Sequence, residues 1–96
     1  MVKRKTITLS ITRFVLLTYM IRLITGKTAR AIIEDFLSGS IKESAIDLAL
    51  TTMDRMEADG VEIAVTGSFA VLIQQWFKKS IGSKQLLKLG PLRITP

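Results

Sequence analysis

The stretch that most constrains the fold is an almost uninterrupted apolar run from Phe14 to Ile24. It is too long for an ordinary strand and is followed by Gly26, a residue typical of helix C-termini, so we predict a helix over residues 13–25. A span across a bilayer takes about 20 mostly apolar residues, so no membrane span is expected. A helix that is apolar on nearly every side must be surrounded by other elements.

The residues before this run, 3–11, read Lys-Arg-Lys-Thr-Ile-Thr-Leu-Ser-Ile and alternate strictly after the basic lead-in. Side chains point to opposite faces of a strand in turn, so this alternation predicts a strand with two different faces. The apolar face consists of Ile7, Leu9 and Ile11, and the polar face of Thr6, Thr8 and Ser10. The polar face is typical either of an exposed sheet edge or of a surface that reads a DNA groove.

The rest of the chain predicts mainly helices, with strand-like segments late in the sequence. The expected helices span Ala29 to Leu37, about Ile41 to Ala58, and Phe69 to Ile81, and the expected strands span Val61 to Val65 and part of residues 84–96, with a break at Gly90-Pro91. The inner faces of the second and third helices are expected to include Leu37 and Leu48. The fold class is therefore α+β, with an N-terminal strand, mostly helices, and a C-terminal extension of helix and short strands.

Helix starts are predicted from residues that can accept a hydrogen bond from the first free backbone amides. Ser10 or Thr12 is expected to cap the first helix, and Thr28 the second. Ser40 followed by Glu43 has the spacing of a capping box and predicts the start of the third helix.

The length of 96 residues corresponds to a single domain, 1–96, and 48% of these residues are hydrophobic. A small domain buries only part of its surface, so this much apolar material favours a homo-oligomer, a dimer or larger. No cleavage site clearly follows the basic N-terminus, so a signal peptide is not expected and a cytoplasmic location is predicted.

Charge is distributed unevenly along the chain, whose net charge is +6. Residues 1–30 contain seven basic and no acidic residues, residues 31–62 two basic and eight acidic, and residues 63–96 five basic and no acidic. Two basic ends around an acidic middle indicate a surface for a polyanion such as nucleic acid. The alternative is an ordinary solubilising surface with ion pairs between segments.

Catalysis has little support in the sequence. The chain has no cysteine and no histidine, which excludes disulfides, thiolate chemistry and the usual zinc sites. Asp54 and Glu57 share a helix face but are expected to be solvent-facing charges. Gly26-Lys27-Thr28 has the last residues of a phosphate-binding P-loop, but Ile21 stands where that motif needs a glycine. We therefore expect neither an enzyme nor a cofactor.

Residues 3–38 together resemble the ribbon-helix-helix family of DNA-binding proteins, the Arc, MetJ and CopG-like repressors. The shared features are the basic lead-in, the alternating strand, a helix of about a dozen residues, the Gly26-Lys27-Thr28 turn and a second helix with Ile32 and Ile33 facing inward. The resemblance implies a dimer in which the two strands pair antiparallel and enter the major groove of double-stranded DNA. Residues 41–96 would then be an extension for packing or oligomerisation.

By this resemblance, the protein would be a small transcriptional or plasmid/phage-type regulator. Thr6, Thr8 and Ser10, joined by Arg4, would face the bases, and the start of the second helix at Lys27 and Thr28 would hold a phosphate. Further phosphate contacts would come from Lys3, Lys5, Lys27 and Arg30. If the strand pairs instead within its own chain, with Val61 to Val65 or with the C-terminal strand, the two-chain ribbon does not form.

Three other interpretations stay open. Residues 28–66 are similar to the end of a winged helix-turn-helix, although the acidic third helix would repel phosphates. Trp76 and Phe77 beside Lys78 and Lys79 could stack on bases, or they could be core and helix end. Finally, the apolar composition suits a structural or assembly protein that does not read DNA.

Overall fold

The structure, a computed structural model, describes residues 7–81, 87–89 and 92–95. It is α+β, as the sequence predicts. The elements in chain order are β1 (Ile7–Ser10), α1 (Ile11–Thr25), α2 (Ala29–Ser38), α3 (Glu43–Ala58), α4 (Ser68–Ile81), β2 (Leu87–Leu89) and β3 (Leu92–Thr95). None of the helices in the described ranges is long and apolar enough to cross a membrane.

The three strands form one sheet in the order β1-β3-β2. β1 runs parallel to β3, and β2 runs antiparallel to β3. The polar strand near the N-terminus therefore pairs with the C-terminal strand of its own chain. A ribbon of two β1 strands is not what this sheet contains, and the ribbon-helix-helix assignment is not confirmed.

Helix α1 is the centre of the molecule. It contacts α2, α3, α4 and the two strands β1 and β3. Near its start, Phe14 lies against Phe36 late in α2 and Trp76 late in α4, with ring centroids 5.6 and 6.1 Å apart. Near its end, Arg22 lies over the ring of Phe69 at the start of α4. Thus α4 runs antiparallel to α1. The prediction that the apolar helix is surrounded is confirmed as far as Ile21, whereas Leu23 and Ile24 at its end are 62% and 42% exposed.

The surrounding elements bury most of α1, including one polar residue. Phe14 and Leu17 have no exposed surface, and neither does Thr18. The Thr18 hydroxyl donates to the backbone carbonyl of Phe14 at 2.8 Å, so its burial leaves no unsatisfied donor. Trp76 is half-buried against this core, which favours its interpretation as a core residue.

Caps explain two of the helix starts. Ser10 Oγ accepts from the amide of Arg13, so α1 begins at Ile11, a residue predicted as the last of the strand. Thr28 Oγ1 accepts from the amide of Ala31, which confirms the predicted start of α2. The chain turns after α1 at Gly26, whose φ of 75° is a conformation that glycine adopts without strain.

Four local predictions are wrong. The capping box at Ser40 does not form: α3 begins at Glu43 after Lys42, and no side chain caps it. The hydroxyl of Ser40 instead accepts a hydrogen bond from Ser38. Leu37 and Leu48 are 60% and 52% exposed rather than inward-facing, because each helix buries a narrower stripe than its apolar residues suggest.

The fourth concerns Val61 to Val65. These residues do not form a strand, although they run without helix, turn or bend. The three-stranded sheet contains β1, β2 and β3 instead, so no strand pairs with this segment in the part of the chain that the structure describes.

Candidate nucleic-acid interface

The sheet has one apolar face against the helices and one face open to solvent. Leu9, Leu92 and Ile94 are buried on the inner face. Thr8 and Ser10, which alternate with Leu9, are exposed. The polar side chains of the N-terminal strand are therefore left facing outward. We call this surface the outer sheet face.

Arg93 is the residue that the sequence analysis missed on this face. It is exposed, and it is the register partner of Thr8 on the neighbouring strand. Adjacent strands lie about 4.8 Å apart, so the guanidinium and the hydroxyl belong to the same small surface. Arg93 is also the register partner of Lys88 in β2. The alternation Leu92-Arg93-Ile94 was the available signal, but only the pairing of β3 with β1 brings Arg93 beside Thr8.

The sheet brings together strands from the two carboxylate-free ends of the chain. β1 belongs to the segment of residues 1–30 and β2 and β3 to the segment of residues 63–96, which together contain twelve basic residues and no acidic one. All eight acidic residues lie between Glu34 and Glu62, in α2, α3 and the connections next to them. The acidic residues thus lie in the helical middle of the chain, and the three strands contain none.

Carboxylates do approach one end of the outer sheet face, where β1 passes into α1. Arg13 Nη1 lies 3.2 Å from Glu57 Oε2, and Arg13 Nη2 lies 3.8 Å from Asp54 Oδ1. Both carboxylates belong to the last part of α3. Arg13 therefore partly neutralises the nearest acidic side chains. Because it is paired with them, it is not expected to contact a polyanion.

The second predicted group of DNA contacts lies elsewhere. Lys27, Thr28 and Arg30 follow α1, whose 15 residues separate them from β1 by about 22 Å at 1.5 Å per residue. The ammonium of Lys27 is paired with Asp35 in α2. The hydroxyl of Thr28 accepts the capping bond at the start of α2. Arg30 is exposed. The structure therefore does not bring this group together with Thr8 and Ser10.

The remaining predicted contacts, Lys3, Arg4, Lys5 and Thr6, lie outside the described residues. Across the described residues, no group of three or more acidic side chains is arranged to hold a metal ion.

Comparison with known proteins adds no assignment. No protein-family model, curated protein or solved structure matches the chain. The outer sheet face and its charge therefore carry the functional argument.

Proposed function

We propose that the protein binds double-stranded DNA through the outer sheet face, as a small transcriptional or plasmid/phage-type regulator. The observation that carries this proposal is the pairing of strands from the two carboxylate-free ends of the chain in one open sheet, with Arg93 beside the exposed Thr8. The described part of this surface carries the cationic Arg93 and exposed hydroxyls, and carboxylates come near it only at the end where Arg13 pairs with them. Such a surface suits the DNA backbone, which carries a dense negative charge.

The proposed contact uses the strands themselves. The major groove is about 12 Å wide and admits a pair of strands, and β1 and β3 form such a pair. Arginine makes bidentate hydrogen bonds to guanine, while threonine and serine hydroxyls accept or donate to several bases. In this arrangement Arg93 supplies most of the discrimination between bases, and Thr8 supplies a less specific contact. Ser10 Oγ already accepts the capping bond from Arg13, so Ser10 contributes by donating its hydroxyl proton. The proposal needs no ribbon of two β1 strands.

The test is a titration of fluorescent duplex DNA with the full chain at two salt concentrations. We expect an affinity that falls steeply as salt rises, because each neutralised phosphate contributes about 0.9 to the salt slope. Arg93→Ala should weaken binding by roughly tenfold, the effect of about 1.4 kcal/mol in a contact of this kind.

Arg30→Ala is the matched control, because it also removes one exposed arginine but at the start of α2. It should change the affinity much less than Arg93→Ala does. Equal losses for the two variants, or salt-independent binding, would contradict the assignment to the outer sheet face. A loss confined to Arg55→Ala, in α3, would instead favour the winged-helix interpretation.

An assembly protein is the second candidate, and a specific observation favours it. Several large apolar side chains are substantially exposed, among them Leu23 at 62% and Val71 at 51%. Such side chains suit contacts in a packed oligomer. A large homo-oligomer that shows no salt-dependent DNA binding would establish this function in place of the first.

A further inference from the structure

The segment between α3 and α4, residues 61–66, has the sequence of a strand but no partner in the sheet. Val61, Ile63 and Val65 alternate with Glu62 and Ala64. Val61 donates its amide to the carbonyl of Met56 at 2.8 Å. Residues 62–66 make no backbone hydrogen bond to any part of the chain that the structure describes.

The segment also borders a groove that is lined by apolar side chains and by the charged Arg13 and Glu57. A cavity of about 550 Å³ lies between it and helices α1 and α3, with Leu16, Met53 and Met56 among its lining residues. Val65 packs against the core, whereas Val61 and Ile63 remain 50% and 40% exposed. Val65 is thus held against the core, while the side chains of Val61 and Ile63 remain accessible to a partner.

We propose that residues 61–65 pair antiparallel with the same residues of a second copy of this chain, forming a homodimer. The alternation is self-complementary in the register that places Ile63 opposite Ile63 of the second copy. Val61 then lies opposite Val65, so that all apolar residues meet apolar residues. Glu62 lies opposite Ala64, which keeps the two carboxylates from facing each other directly.

The hydrogen bond of Val61 supports the same register. Successive residues of an extended chain direct their backbone groups to opposite sides. The amide of Val61 points to the carbonyl of Met56 in the preceding helix, α3. The amides and carbonyls of Glu62 and Ala64 therefore point away from α3. These are the two residues that face each other in the proposed register, so each pair exchanges two hydrogen bonds across the interface.

A second copy of the chain is a better partner than an unrelated strand, because in this register the same five residues pair favourably from both sides of the interface. Shifting the register by one residue would place Glu62 opposite Ile63 in one direction and opposite Val65 in the other. Shifting it so that Glu62 faces Glu62 would place like charges opposite each other. The excess of apolar residues in a 96-residue chain is a further reason to expect self-association.

The experiment is sedimentation velocity of the full chain over a range of concentrations, without DNA. We expect a reversible monomer–dimer equilibrium. Ala64→Pro removes one of the two interchain donors of each copy, the other being the amide of Glu62, and should raise the dimer Kd roughly tenfold. Ala64→Val keeps that donor at the same position, and should leave the dimer as strong as wild type or make it stronger.

A second pair of variants tests the side chains. Ile63→Lys places two cations opposite each other and should also weaken the dimer by roughly tenfold or more. Leu48→Lys changes an apolar residue on α3 that is 52% exposed, somewhat more than Ile63 at 40%, and should not weaken the dimer. Circular dichroism checks that each variant is folded, and Ile63→Lys decides the matter if Ala64→Pro is not.

Three results would overturn the proposal. They are a monomer at every concentration, a dimer unaffected by Ile63→Lys, and a dimer weakened as much by Leu48→Lys as by Ile63→Lys. None of them depends on whether the outer sheet face binds DNA.

Discussion

Strand β1 and the segment 61–66 both have a large apolar residue at every second position, yet only β1 belongs to the sheet. In β1 the inward residue Leu9 is 4% exposed, and it lies beside the buried Ile94 of β3. In the segment 61–66 the corresponding residue, Ile63, is 40% exposed. The difference shows that alternation specifies which face of a strand is apolar, while pairing depends on whether another strand is brought alongside.

The connections to the helices explain why β1 found a partner. β1 continues directly into α1, the central helix, so its inner face is placed over the core from the start. The segment 61–66 joins the outer helices α3 and α4 and passes beside a groove instead. A strand sequence on the outside of the helical layer keeps its hydrogen-bonding groups available.

The largest expected effect compares isoleucines in the two regions. Ile94→Ala should reduce the free energy of unfolding by about 2–5 kcal/mol, because the side chain has no exposed surface and its removal leaves a cavity. Ile63→Ala should cost less than about 1 kcal/mol in the monomer, since much of that side chain is already in water. Urea denaturation at low protein concentration measures both.

Equal losses for the two variants would contradict the comparison. A large loss for Ile63→Ala that appears only at high protein concentration would show that Ile63 contacts a second chain, because only an interchain contact makes the loss depend on concentration.

The fold could be predicted from the sequence where local signals and tertiary contacts agree. The apolar run from Phe14 to Ile24 predicts a central helix, and Gly26 and Thr28 predict where the chain turns and α2 begins. Ser10 was one of two predicted caps for α1 and is the one used. These signals work because a cap or a helix end involves residues only a few positions apart.

Pairing and exposure could not be predicted in the same way. The parallel contact of β1 with β3 joins residues more than 80 positions apart, and it brings Arg93 beside Thr8. Leu37 and Leu48 have the spacing of inner residues, but the neighbouring elements leave 60% and 52% of their surfaces exposed. The contribution of β1 to the candidate interface was thus predicted from the sequence. The position of Arg93 beside Thr8 depends on the sheet topology, which was not predicted.

A smaller effect separates two cap signals that look alike in sequence. Thr28→Ala should lower the free energy of unfolding by about 1 kcal/mol, because Thr28 Oγ1 satisfies the amide of Ala31. Ser40→Ala should change it by no more than about 0.5 kcal/mol, because Ser40 caps no helix. Thermal or chemical denaturation of both variants checks this, and a larger loss for Ser40→Ala would contradict the observed start of α3.

The smallest effect concerns the ion pair that links the two regions. Arg13 follows β1, and Glu57 precedes the segment 61–66. Their 3.2 Å contact is largely exposed, with 39% and 70% of the two side chains accessible. Exposed pairs contribute about 0–1 kcal/mol and are screened by salt. Glu57→Gln should therefore reduce the free energy of unfolding by less than about 1 kcal/mol at low salt.

Asp54→Asn is the matched control for this pair, because Asp54 lies farther from Arg13, at 3.8 Å, and is more exposed. It should have the smaller effect, and the difference between the two variants should vanish at high salt. A loss of unfolding free energy for Glu57→Gln that persists at high salt would mean that Glu57 stabilises the end of α3 through contacts other than its charge. The segment 61–66 would then depend on β1 for its position, and the two regions would be coupled rather than independent.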